Sequence, residues 1–122
     1  GRGSIVNIAS VNGLLAQSGR AAYASAKAGV VRLTGVLGAE WAGRGVRVNA
    51  IAPAVFLTDL VRASLADGSA SLDTYIARSP TGRLGEVPEL VATLLFLASP
   101  YSSHIVGQTL RVDGGWTADH AL

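Results

Sequence analysis

Apolar residues along this chain fall into two kinds of run. Short β-branched runs occur at "SIVNIA" (residues 4–9), "VRVNAIA" (46–52, closed by Pro53) and the start of "QTLRVDGG" (108–115). Each is bounded by glycine, proline or polar turn residues, and the spacing predicts three strands. Longer runs predict helices. One extends from about Arg20 to Ala42 and is ended by Gly43 and Gly45. Another, "EVPELVATLLFLAS" (86–99), carries Leu90, Val91, Leu94, Leu95, Leu97 and Ala98 and is stopped by Pro100. Between them, residues 59–79 read as one or two short helices broken at "DGSAS". Residues 11–19 read as a loop, 80–85 as a turn-rich linker, and the chain after Asp113 as a glycine turn and a frayed tail. Strands alternating with helices predict βαβ units and a parallel sheet, hence an α/β fold. Such strands are normally buried on both faces, and in a three-stranded sheet one edge is left without a partner.

The long helix is apolar on two sides. Tyr23, Lys27, Val30, Thr34, Leu37 and Trp41 share one side, and Ala22, Ala26, Gly29, Leu33 and Val36 another. One face can pack on the sheet. The other calls for a second helix, from a missing part of the protein or from another subunit. Ser18 or Gly19 is the expected N-cap.

Composition narrows the function classes. At 122 residues the chain is at most one domain. Half its residues are apolar and few are charged, which excludes a disordered tail. No apolar run reaches the ~18 residues a membrane span needs, and no signal peptide is visible, so a cytoplasmic protein without a membrane partner is expected. There is no cysteine, which excludes disulfides and thiolate metal sites. The net charge of +2 comes from arginines scattered rather than gathered, which argues against a nucleic-acid partner. The chain begins at Gly1, contains no methionine and enters directly on a strand pattern. A piece of a longer protein is the expectation.

Candidate chemistry lies in "AAYASAKAG" (21–29). Tyr23 and Lys27, the only lysine against nine arginines, stand four residues apart on an alanine-rich helix. At that spacing they share a face. A free phenol titrates near pH 10 and exchanges protons poorly at neutrality. A nearby ammonium and a helix N-terminus both favour the phenolate, the direction general acid–base work requires. Small alanines leave room for a large molecule against this helix. Ser10, thirteen residues earlier at the end of the first strand, is where an open α/β sheet places its site. Its hydroxyl could stabilise a substrate oxygen, or simply cap a turn.

Taken together, "NIASVNG", "YASAKAG", "RGVRVNAIAP", "GRLGEVPELVATLLFLAS" and "VGQTLRVDGG" resemble the second half of a short-chain dehydrogenase/reductase, over about residues 2–116. The style is that of the 3-oxoacyl-carrier-protein reductases. The resemblance implies the carboxyl half of a Rossmann-like, doubly wound parallel sheet. It also implies an NAD(P)-dependent oxidoreductase that transfers hydride between nicotinamide and an alcohol or carbonyl substrate. Under it Tyr23 is the general acid/base, Ser10 orients the reacting oxygen, and Lys27 assists the tyrosine and holds the nicotinamide ribose. Pro53, Phe56 and Thr58 of "PAVFLTD" match nicotinamide-contacting positions, Phe56 through its backbone and Thr58 through its hydroxyl. Ala54 stands where the family usually has glycine, which bears on that loop's backbone. Asn7 and Asn49 read as structural, and Asp113-Gly114-Gly115 as a tight turn. Arg44 matches a carrier-binding arginine of those reductases, in a stretch widespread in the family. The helix faces and last strand resemble surfaces through which the family forms dimers and tetramers.

The family's glycine-rich fingerprint and its catalytic asparagine have no counterpart here: there is no Gly-x-Gly-x-x-Gly. The dinucleotide-fingerprint half is therefore expected upstream of residues 1–122, and NAD and NADP stay undistinguished. The alternative is a non-catalytic half that only associates with a partner chain, or a decayed remnant.

Overall fold

The three β-branched runs form β1 (Gly3–Ile8), β2 (Val46–Pro53) and β3 (Thr109–Val112). The structure, a computed structural model, describes residues 1–119. The strands make one parallel sheet in the order β1-β2-β3. Ile5 pairs with Val48 and Asn7 with Ala50, while Ile51 pairs with Leu110 and Pro53 with Val112. The central strand is the buried one: Val48, Asn49, Ala50, Ile51 and Ala52 are inaccessible to solvent. Parallel strands covered on both faces have this pattern.

Two helices cover the faces, α1 (Ala21–Trp41) and α4 (Val87–Ala98), with the short α2 (Asp59–Ala66) and α3 (Leu72–Ala77) between β2 and α4. Under α1 lies a small core of Ala9, Ala50 and Ala52, packed by Leu14, Val30 and Val31. Small residues let the helix come down almost onto backbone. A Cβ built on Gly38 would lie 2.7 Å from Gly107 and 3.1 Å from the Val48 carbonyl oxygen. Asn7 Nδ2 donates to Thr34 Oγ1 at 3.0 Å, and that hydroxyl donates to the Val30 carbonyl at 2.8 Å. On the opposite face Ser4 and Arg47 reach the last turn of α4. The Arg47 guanidinium donates to the carbonyls of Leu97, Ser99 and Ser102, each at 3.0 Å, and to Ser102 Oγ at 2.8 Å. These are carbonyls a helix end leaves without intrahelical donors, so Arg47 both caps α4 and ties it to β2. Asn49 pins the approach to β3, donating to the Ile105 carbonyl and accepting from the Gln108 amide.

The start of α1 corrects the expected cap. Its N-cap is Arg20, with no side-chain hydrogen bond, rather than Ser18 or Gly19. Gly19 takes φ +80°, and the Arg20 amide closes a turn on the Gln17 carbonyl. An N-cap typically has extended backbone, and Gly19 is instead left-handed, so α1 starts one residue later than the polar residues suggest. Tyr23 still falls in the first turn. Ala54 raises no backbone difficulty, since no residue other than glycine has a positive φ among the described residues.

The second face of α1 is bare: Ala22, Ala26 and Gly29 are exposed, as are Leu33 (51%) and Val36 (46%). On edge strand β1, Ile5 and Ile8 are also exposed. No helix among the described residues is long and apolar enough to cross a membrane. The chain beyond Asp119, where the frayed tail was expected, lies outside the described residues; Trp116 to Asp119 continue the Asp113 turn through hydrogen bonds to Asp113 and Gly115.

Candidate active site

A parallel sheet delivers all its strand ends to one edge. Ser10 follows β1, Pro53 ends β2 and Asp113 follows β3, so three of the residues singled out in the sequence gather there. Ser10 is 5% exposed and caps a single 3-10 turn, Val11–Gly13, with Oγ accepting from the Asn12 amide at 3.1 Å. Its own hydroxyl proton has no acceptor among the described residues. The serine thus caps the turn and keeps a donor.

Lys27 is tied to the same strand end. Its Nζ donates to the Ile8 carbonyl at 3.0 Å, across nineteen residues of chain. It also stands 5.8 Å from the centre of the Tyr23 ring, within cation–π range. Tyr23 is 45% exposed, and its hydroxyl makes no hydrogen bond to a described residue. The loop that carries Ser10 is held against the lysine turn of α1 by Gly13. A Cβ there would meet the Lys27 carbonyl carbon and oxygen at 2.8 Å and the Ala28 nitrogen at 3.1 Å. Sequence reading placed Gly13 merely in a loop. Its backbone-to-backbone contact, and the Ile8 carbonyl as lysine acceptor, carry no local signal. Asn12 Oδ1, in the same turn, is buried with no hydrogen-bond partner among the described residues.

The loop after β2 is also built. Phe56 is 8% exposed and forms a bridge with Gly85, whose missing Cβ would sit 2.5 Å from the Phe56 ring. The amide of Leu57 donates to the Gly85 carbonyl and that of Gly85 to the Val55 carbonyl. Thr58 starts α2, accepting from the Val61 amide at 3.3 Å. Its hydroxyl proton remains free to donate. Pro53 is half-buried at the strand end, paired with Val112.

The neighbouring carboxylates are committed to structure. Asp113 accepts from the amides of Gly115 and Thr117, both at 3.0 Å, and from the Thr117 hydroxyl. Burial pushes its carboxyl up, but those donors, with Arg111 nearby, hold it below the ordinary Asp value. Gly114 and Gly115, at φ +60° and +92°, complete the turn, as read from sequence. Glu89 takes both terminal nitrogens of Arg83, at 2.7 and 2.9 Å, and the Glu86 amide at 2.8 Å. The Arg83 hydrogen bonds lower its carboxyl to about 2. Among the described residues no group of three His, Asp or Glu side chains could hold a metal ion.

Comparison with known proteins gives this arrangement a context. Residues 1–117 match the family described as Enoyl-(Acyl carrier protein) reductase. Galactitol 2-dehydrogenase (L-tagatose-forming) of Cereibacter sphaeroides is 43% identical over 119 residues, covering 96% of this chain and 46% of that protein. The 3-oxoacyl-[acyl-carrier-protein] reductase of Vibrio cholerae is 43% identical over 114 residues, 93% of this chain and 46% of the other. Among solved structures, a gluconate 5-dehydrogenase from Burkholderia cenocepacia in complex with NADP and tartrate is 45% identical with a TM-score of 0.88, covering 97% of this chain and 46% of that one. The chain thus spans about half the length of the relatives it matches. With that match and those relatives, the chain belongs to the Enoyl-(Acyl carrier protein) reductase family among the short-chain dehydrogenases/reductases.

Proposed function

We propose that this chain supplies the acid–base half of an NAD(P)-dependent oxidoreductase that interconverts an alcohol and a carbonyl compound. One observation carries the reading. Lys27 is tied to the end of β1 next to Ser10 and stands over the Tyr23 ring, and each of the three keeps a proton uncommitted to the protein.

The donor set fits a dinucleotide. An ammonium has three protons; Lys27 uses one on Ile8, leaving two for the vicinal hydroxyls of a ribose. The Thr58 hydroxyl is free to donate to a carboxamide, and Phe56, its ring turned onto Gly85, offers backbone beside it. Nicotinamide, when bound, supplies hydride-transfer chemistry. The protein's own residues do the rest. Ser10 donates to the substrate oxygen as negative charge develops on it. Tyr23 gives that oxygen its proton in reduction and removes it in oxidation. Lys27 steadies the phenol's environment and clamps the ribose.

The complete enzyme would carry its fingerprint half upstream, work in the cytoplasm on a small alcohol or carbonyl compound, and associate through the bare face of α1 around Leu33 and Val36. The test is Tyr23→Phe in the full-length protein, with turnover followed by NAD(P)H absorbance and cofactor affinity by titration. Loss of turnover with cofactor affinity retained supports the assignment, and near-normal turnover refutes it.

A further inference from the structure

The segment between β2 and α4 shows no polar cluster in sequence, but the fold assembles one. Arg78 caps α3, and its guanidinium lies over the Trp116 ring, 5.5 Å from the ring centre. Trp116 comes from the far end of the chain and is set there by the Asp113 turn, its amide donating to the Asp113 carbonyl. The two residues line a pocket of about 170 Å3, close to the ~150 Å3 of a cavity that accepts a benzene ring. It is large enough for one end of a small substrate. Ala54, Val55 and Phe56 form another wall. These belong to the loop assigned above to the nicotinamide, so a molecule anchored at Arg78 lies beside that loop.

The charges in this pocket are unevenly matched. Its two carboxylates are occupied, Glu89 by Arg83 and Asp113 by Gly115 and Thr117. Arg83 is the cation Glu89 holds. Arg78 forms no salt bridge among the described residues. A guanidinium stacked on an indole keeps its edge free, and that edge presents the paired donors that match a carboxylate.

We propose that Arg78, fixed by Trp116, binds a carboxylate on the substrate, so that the preferred substrates are small hydroxy or oxo acids rather than uncharged alcohols. This rests on the oxidoreductase reading above and sharpens it. The test compares gluconate with sorbitol, which differ by carboxylate against CH2OH at one end, by calorimetric titration of the full-length protein. Binding is read in the Tyr23→Phe background, where it does not depend on turnover. Arg78→Gln is expected to weaken gluconate at least ten-fold more than sorbitol, with Arg78→Lys recovering only part of the difference. Equal losses for the two ligands, or a gluconate affinity unmoved by Arg78→Gln, overturn the proposal. So does absence of gluconate binding at millimolar concentration, and if the Tyr23 enzyme still oxidises uncharged alcohols the broader reading survives that result.

Discussion

Two groups of polar residues stand at the same edge of the sheet and are treated in opposite ways. The carboxylates of Asp113 and Glu89 are both met: two amides and a hydroxyl on the first, a guanidinium and an amide on the second. Around Tyr23 the phenol is bare, Ser10 accepts one bond without donating, and Lys27 gives one proton of three. Saturated groups fix a turn and a helix start. Groups left partly unsatisfied next to solvent cost little there, and they are the ones able to bond something that arrives. The distinction separates the aspartate of the Asp-Gly-Gly turn from the catalytic candidates, although it follows the carboxyl end of a strand as Ser10 does.

The largest effect that would break this contrast is at Tyr23. Tyr23→Phe in the full-length protein should lower kcat by about 10²–10⁴-fold, the usual worth of general acid–base catalysis. Asp113→Asn should instead lower thermal stability and leave the pH profile of kcat unchanged. If the aspartate variant reshapes that profile, the division between the two groups fails.

Gly13→Ala comes next. Its methyl has backbone, not a movable side chain, at 2.8 Å, so the loop or α1 must shift. Overpacking of this kind costs about 1–3 kcal/mol. Chemical denaturation should show that loss, and kcat should fall because Ser10 and Lys27 lose their relative position. A variant as stable as the parent would mean the loop is not held there.

Thr58 sharpens the comparison, since it caps α2 and is proposed to donate to the cofactor. Thr58→Ser keeps cap and donor. Thr58→Val loses both, at about 1 kcal/mol of stability for the cap, together with weakened cofactor binding. Equal cofactor dissociation constants for the two variants would leave Thr58 as a cap alone.

The smallest effect concerns pH. A carboxyl held below its ordinary value contributes stability that is present above the unfolded value and is lost as pH falls through the folded one. For Glu89 the contribution should be complete above about 4.5 and fade toward about 2. Its titration by NMR should therefore fall well below that of a free glutamate, and Arg83→Met should return it toward the ordinary value. Asp113 should behave in the same direction, losing its contribution below the ordinary aspartate range.

Much of this was legible in the chain because it is local. β-Branched runs, glycine stops and helical periodicity depend on neighbours in sequence, and they gave all three strands, the two long helices and one or two short ones between them. The pair at Tyr23 and Lys27 was legible for the same reason, being one helical turn. The misplaced start of α1 shows where local reasoning fails: Gly19 looked like a cap and is a left-handed turn residue instead. What stayed hidden is what the fold brings together from afar. Arg47 under the end of α4, Gly13 against Lys27 and Arg78 over Trp116 join residues separated by many positions. An arginine that caps a distant helix has the same spelling as one in solvent.

Gly38 and Gly13 together have a mechanical consequence. Each lets α1 touch backbone, the first at β2 and the Gly107 loop, the second at the Ser10 loop. The helix is then a beam clamped at two places, with Tyr23 on the short end overhanging the inner clamp at Lys27. Eleven residues, about 16 Å at 1.5 Å per residue, separate the clamps, and four, about 6 Å, form the overhang. Such a beam attenuates disturbance. A displacement of ~1 Å at Gly38 pivots about the inner clamp and reaches Tyr23 as roughly 0.4 Å, inside the ~0.5 Å within which a positioned catalytic group must be held. Jostling of the Gly38 end of α1 is thereby damped before it reaches the phenol.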